Sequence, residues 1–297
     1  MINGEVSFWW SQVGGVPARR PALPGDRAVD VCIVGAGYTG LWTAYYLKQA
    51  QPDLEVAVVE KEFAGYGASG RNGGWLTNSV TGGREQYIKD FGRDAAGGMQ
   101  SALNDTVAEV IRVAAEEGID ADIVTGGEFV LAQNPAQQAR LVEWAADEQS
   151  WPMTDAVLLS AADARERVNI EGTTGALWHP HAARIHPAKL VTGLARTVEA
   201  MGVQIFEQTA ASVIESGRVV TDRGVVTART AVIRATEGFT ANLAGLHRAW
   251  LPMNSSMIAT EPLPESLWRE VGWAGREVVG DMAVSYTHLT LPTICSV

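Results

Sequence analysis

The first residues show no hydrophobic period. Residues 1–27 mix Trp, Pro and Arg, and PARRPALPGD reads as an extended arm. Pattern begins at Asp30, where DVCIVG forms a short continuous apolar run, the mark of a strand buried on both faces. Gly35, Gly37 and Gly40 follow. Leu41, Ala44 and Tyr45 then share one face of a helix that must stop before Pro52. LEVAVVE is a second buried strand ending at Glu60. Residues 61–84, KEFAGYGASGRNGGWLTNSVTGGR, lose all period and read as one long loop. Loops of that length in compact domains tend to be functional.

Further along, Val107, Val110, Ile111 and Ala114 predict a helix over about 95–117, stopped by Gly118. IVTGGEFVLAQ reads as a turn and a strand, and AQQARLVEWAADEQS as a helix. Ser160 is placed to cap a helix through ADARERV. GALWHPHAARIHP is strand-like, and Pro187 opens a helix whose stripe is Leu190, Val191, Leu194 and Val198, ending at Gly202. VQIFEQ, ASVIES, RVVTDRG and VVTARTAVIRAT are short strands with a turn at residues 222–224. A strand–helix–strand unit followed by a β-rich section with helices predicts an α/β fold, α+β overall, in two domains for 297 residues.

Composition changes this picture little. Apolar residues at 46% and charged residues at 19% suit an ordinary globular protein. A formal net charge of −11 argues against nucleic acid as a partner. It suits cationic substrates such as amines, and equally solubility alone. Cys32 reads as a buried small hydrophobe, and the two cysteines, Cys32 and Cys295, give no disulfide or metal spacing. His179, His181 and His186 stand close in sequence without the acids or cysteines that would complete a metal site, so no metal is expected. No basic leader or membrane-length apolar run is present, so a cytoplasmic protein with no membrane partner is expected. Oligomeric state has no signature in the sequence.

Gly35-Ala36-Gly37-Tyr38-Thr39-Gly40 matches G-x-G-x-x-G between a strand and a helix, the arrangement that seats a pyrophosphate on a helix N-terminus. Glu60 lies 20 residues past Gly40, where a carboxylate accepts hydrogen bonds from ribose hydroxyls. An acid there disfavours a 2′-phosphate and leaves NAD and FAD open. The loop after it, GASGRNGG, is suited to lie against a large planar cofactor.

The run from Asp30 to Leu76 resembles the D-amino-acid-oxidase-like family of FAD-dependent oxidoreductases, and within it the branch of gamma-glutamylputrescine oxidase-like amine oxidases. The likeness continues in IHPAKLVTGLARTVEAMGVQIFE, ASVIES and AVIRATEGFT, over most of residues 6–283. It implies a Rossmann-like FAD-binding domain interleaved with a β-rich substrate domain. The expected division is an arm over 1–27, an FAD-binding domain over 28–118 and 185–245, and a substrate domain over 119–184 and 246–283. The resemblance places Gly35, Gly37, Tyr38, Thr39 and Gly40 at the pyrophosphate and Glu60 and Lys61 at the ribose. Ser69, Arg71, Asn72, Gly73 and Gly74 lie by the pyrophosphate and flavin ring, Val213 at the adenine, and Ala235, Thr236 and Gly238 near the cofactor. It names no certain catalytic base; Arg71 and Asn72 are the residues expected to tune the flavin. Two departures stand out: Arg234 occupies an apolar position of the family, and Glu237 stands where many relatives have Asn.

The implied reaction oxidises the C–N bond of an amine or amino acid by hydride transfer to non-covalently bound FAD, with oxygen as acceptor and hydrogen peroxide as product. Three alternatives stay open: an FAD dehydrogenase with another acceptor, an NAD-dependent Rossmann enzyme, and a non-catalytic FAD-binding fragment. The last residues, VSYTHLTLPTICSV, break the preceding pattern and resemble a translated transposase-type sequencing adapter. The expectation is that residues 284–297 are not native, and that the chain is C-terminally truncated and lacks part of its substrate domain.

Overall fold

The computed structural model describes residues 6–251 and 255–282; the adapter-like tail lies outside them. In chain order the elements are helix α1 (Phe8–Gln12), β1 (Arg27–Val34), α2 (Tyr38–Ala50), β2 (Val56–Val59) and a 3-10 turn at Ala68–Gly70. Next come β3 (Trp75–Thr77), α3 (Arg84–Phe91), α4 (Arg93–Glu116), β4 (Glu128–Ala132), α5 (Pro135–Gln149), β5 (Val157–Ser160) and α6 (Ala161–Arg167). They are followed by β6 (Gly175–His179), β7 (Ala182–Arg184), α7 (Pro187–Ala200), β8 (Gln204–Phe206), β9 (Ala211–Glu215), β10 (Arg218–Thr221) and β11 (Gly224–Arg234). A 3-10 turn at Glu237–Asn242, helix α8 (Glu265–Val271) and β12 (Val278–Asp281) complete the described chain.

The chain divides into two compact units. The first comprises residues 1–74, 114–121 and 186–259, and the second residues 75–113, 122–185 and 260–297.

The first unit is built on a six-stranded sheet in the order β8-β2-β1-β11-β10-β9. β8, β2, β1 and β11 run parallel, and β10 and β9 return antiparallel. β1 has a parallel neighbour on each side, which is why Val31 to Val34 form an unbroken buried run. β10 and β11 add their apolar side to the same core: Val219 of β10 and Val226 and Ala228 of β11 cluster with Cys32, Val34, Ala57 and Val59. Burial pushes the Cys32 thiol up to about 12, which leaves it unreactive.

The second unit holds a four-stranded sheet, β12-β4-β6-β5, and a two-stranded pair, β3-β7. From Phe129 to Ala132 β4 is apolar because each of its faces is covered. Val130 and Ala132 pack with Leu141 and Ala145 of α5, while Phe129 and Leu131 pack with Ala164 of α6. Ser160 caps α6 by accepting from Asp163 N.

Three expectations need correction. The arm expected over 1–27 contains a helix, α1, with Trp10 1% exposed, ahead of residues 17–26, which hold no helix as expected. Residues 61–84 are not one loop, since they contain the turn at 68–70 and strand β3. Residues 75–113, expected with the first domain, group with the second unit, while 119–121 and 246–259, expected with the substrate domain, group with the first. In the second unit β3 pairs with β7, Asn104 donates to Met153 O, and Arg84 pairs with Asp147 and Glu148. Among the described residues no helix is long and apolar enough to cross a membrane.

Candidate functional site

The site candidates gather where β1 ends, at the C-terminal edge of a parallel sheet, the place where such sheets receive ligands. Gly35 has φ +107°, and a Cβ on it would collide with the Ala235 carbonyl oxygen. A Cβ on Gly40 would fall on the Gly35 carbonyl oxygen, so the third glycine is what lets α2 start this close to the turn. Gly37 faces Ser69 Oγ, which a Cβ would meet at 3.0 Å.

The first turn of α2 carries backbone donors that have no intrahelical acceptor. Its N-cap is Gly37, which has no side chain to offer, so the cap is supplied from the loop: Tyr38 N donates to Ser69 Oγ at 2.8 Å. Tyr38 also donates its hydroxyl to Pro187 O, and burial pushes its phenol upward in pKa. Glu60 closes the other side. It accepts from Ala36 N through Oε2 and from Glu62 N through Oε1, each at 2.9 Å. Burial raises its pKa against those two bonds, and the nearby carboxylates of Glu207 and Glu62 add to the rise.

The glycine-rich loop is pinned from both ends. Gly65, with φ +84°, donates its N–H to Ala36 O, and its carbonyl approaches Gly70. Asn72 is the clasp: Nδ2 donates to Ala68 O and Ser69 O, while Oδ1 accepts from Gly74 N. Arg71 donates Nε to Tyr66 O at 2.6 Å and lies over the Tyr66 ring. Both side chains marked for flavin tuning thus shape the loop that carries them.

A third segment joins them. Ala235 N donates to Val34 O, which sets Ala235 against Gly35. Thr236 and Thr240 share a hydrogen bond between hydroxyls, and Phe239 packs beside Gly67 and Tyr66. Gly238 lies in this turn, and a Cβ there would meet nothing. Arg234 is exposed, so the cost of a buried arginine does not arise. Glu237 adopts φ +43°, a conformation that favours Asn and Gly over Glu. Thr39, Lys61 and Gly73 are exposed around the turn and loop.

Val213 is not drawn into this group; it lies exposed on β9, at the sheet edge, with β10 and β11 between it and β1. The histidines have separate local roles: His179 approaches Glu128, His181 bonds Asp155, and His186 caps α7 by accepting from Lys189 N. The sequence reading missed Ser7, Trp9 and Glu207. Ser7 Oγ donates to Gly70 O and Trp9 Nε1 to Asn72 O, while Glu207 Oε1 accepts from Ala64 N. The Trp pair at 9–10 was the one available signal.

A family model described as FAD dependent oxidoreductase, DAO, matches residues 30–292. The chain belongs to this family. Among curated proteins, it is 34% identical over 247 residues to "Gamma-glutamylputrescine oxidoreductase" of Escherichia coli, covering 82% of this chain and 57% of that protein. It is 30% identical to "Probable oxidoreductase OrdL" of Haemophilus influenzae, covering 83% of this chain and 59% of that protein. The chain thus spans somewhat more than half the length of these relatives. Among solved structures, the glycine oxidase of Geobacillus kaustophilus shares the fold with a TM-score of 0.63 at 23% identity, over 74% of this chain and 58% of that one.

The DAO-family cofactor can be tested against the residues present, and they fit. Glycine at 35 and 40 lets the turn fold tightly against Ala235 and itself, Gly37 leaves the N-terminus of α2 without a side chain, and Glu60 beside it has only backbone donors as hydrogen-bond partners among the described residues. Gly35, Gly37 and the first turn of α2 would hold the pyrophosphate, Glu60 the ribose, and the loop 69–74 the ring system.

Proposed function

We propose that the protein oxidises the C–N bond of an amine or amino acid, using non-covalently bound FAD and passing the electrons to oxygen. The observation that carries the reading is the meeting of three parts in the first unit: the glycine turn, Glu60, and a loop closed by Ser69 and Asn72. Family membership and the amine and amino-acid names of its relatives support the substrate class. FAD, when bound, would supply a hydride acceptor for the α-carbon of a neutral amine and a route for the electrons to oxygen.

The chain's own residues bind and orient. The backbone N–H groups of Gly37, Thr39 and Gly40, which have no acceptor among the described residues, would face the phosphates, and Glu60 would offer carboxylate oxygens to hydroxyls. Arg71 keeps a positive charge beside the loop, which favours added electron density on a ring held there. The loop holds no His or Cys to form a covalent flavin bond. We assign cofactor binding to the first unit and substrate recognition to the second.

The test is amine-dependent peroxide release with polyamines, their glutamylated forms and simple amino acids. Substrate-dependent bleaching of the flavin under nitrogen, with fast recovery and peroxide in air, is the expected result. Bleaching with slow recovery in air would replace oxygen by another acceptor. No bleaching with any amine or amino acid would overturn the reading.

A further inference from the structure

We infer that Trp9 and Ser7 of the N-terminal segment are positioning residues for the cofactor loop, with Trp9 aiming the Gly73 backbone amide as a donor to the bound ring; this rests on the FAD reading above.

The geometry is specific. Trp9 Nε1 donates to Asn72 O at 2.7 Å, and Ser7 Oγ donates to Gly70 O at 2.8 Å, both across 63 residues of sequence. Alternate carbonyls of the loop are therefore held from the same short segment. A trans peptide is planar, with its C=O and the next N–H pointing in opposite directions. Holding Asn72 C=O toward Trp9 turns the Gly73 N–H away from it.

That amide forms no hydrogen bond among the described residues. Gly73 is exposed, and a Cβ there would meet nothing within 4 Å, so the amide lies on an open surface of the loop. The backbone amides on either side of it are already used. Gly74 N donates to Asn72 Oδ1, and Arg71 N and Asn72 N donate to Ala68 O. Gly73 N–H and Ser69 N–H are the backbone donors of residues 69–74 with no acceptor among the described residues, and only Gly73 N–H belongs to the peptide that Trp9 holds.

Trp9 is itself fixed. Its ring packs on His186 at 4.9 Å between centroids, and His186 is the N-cap of α7. Trp10, the next residue, is buried against Phe63, Gly65 and Gly70. The helix therefore sits in the first unit as a brace rather than a free arm. A donor held in place before the ligand arrives needs no reordering on binding, and it stabilises negative charge that develops on the ring.

Trp9→Phe keeps the ring packing and removes the N–H, and Ser7→Ala removes the second tie with less bulk change. Amide hydrogen exchange across residues 69–74 of the cofactor-free protein reads the brace directly, and exchange should speed up in both variants. FAD titration and flavin potentiometry read the aim. Trp9→Phe should bind FAD about three- to tenfold more weakly, with an altered flavin absorption envelope and a more negative midpoint potential. Ser11→Ala, whose hydroxyl bonds only Phe8 O within α1, should match the wild type in every reading. Unchanged exchange in both variants overturns the brace. Faster exchange with unchanged affinity, spectrum and potential overturns the aiming of Gly73. A wild-type chain that takes up no FAD overturns the proposed function and the aiming together, while the exchange result still decides the brace.

Discussion

Glu60 in the first unit and Glu128 in the second are both largely buried carboxylates at strand ends, yet their environments push ionisation in opposite directions. Burial works against the charge in each case. At Glu128 the charge and hydrogen bond of His179, with the Thr77 hydroxyl at 2.9 Å, overcome that cost and hold the carboxyl below its ordinary range. At Glu60 two backbone N–H groups do not overcome it, and Glu207 and Glu62 add like charge. Glu128 is answered by its own unit. Among the described residues no cation pairs with Glu60, which suits the proposed role of a group whose partners arrive with a ligand. A carboxylate's surroundings thus separate a group paired with a side-chain partner from one held by backbone donors alone, where residue type does not.

The largest effect is expected at the charge beneath that site. Glu207 is fully buried, accepts from Arg20 and Ala64, and meets an arginine that Glu199 also holds bidentately. Burial lowers the pKa of Arg20, but the two glutamates outweigh it and raise it. Glu207→Ala strands part of that charge and should cost about 3 kcal/mol in urea unfolding, the lower end for a broken buried pair because Glu199 remains. A loss below about 1 kcal/mol would place Glu207 with ordinary surface pairs.

The contrast between the two carboxylates predicts opposite pH slopes. Glu128 has a depressed folded pKa, so its stabilisation is present above the ordinary carboxylate range and lost as pH falls through the folded value. Glu60 has a raised folded pKa, so the folded state binds its proton more tightly and this contribution declines as pH rises through the carboxylate range and just above it. Glu128→Gln should flatten the acid-side fall in stability. Glu60→Gln should remove the opposing component and steepen that fall. Unfolding midpoints from pH 3 to pH 7 for both variants check this, and slopes of the same sign would erase the contrast.

The smallest effect concerns the turn after β11. Glu237→Asn relieves a left-handed backbone and should stabilise by about 0.5–1 kcal/mol in the same unfolding assay. A loss instead would mean that the Glu237 side chain contributes more than its backbone costs.

The parts legible in the sequence are those written in local pattern. β1, its glycine turn and α2 announce themselves because a doubly covered strand leaves an unbroken apolar run and the turn tolerates no side chain. Glu60 was readable from its spacing, and the α7 stripe from its period. What escaped depends on contacts distant in sequence. α1 has five residues, too few for a period, and is held by loop contacts 63 residues away. The Arg20–Glu207 pair spans 187 residues, and neither residue sits in a motif. The placement of 75–113 follows from β3 pairing with β7 and from Arg84 with α5, none of which leaves a local mark. Ser69 was named for its loop, but its role as the cap of α2 needed the fold.

The most direct measurement is FAD titration of the purified wild-type chain beside Glu60→Gln, followed by flavin absorbance and acid precipitation. The account predicts one FAD per chain, binding at least about tenfold weaker in the variant, and yellow flavin left in the supernatant. No uptake by the wild type, or equal affinity in the variant, would contradict the placement of the cofactor at Glu60 and the glycine turn.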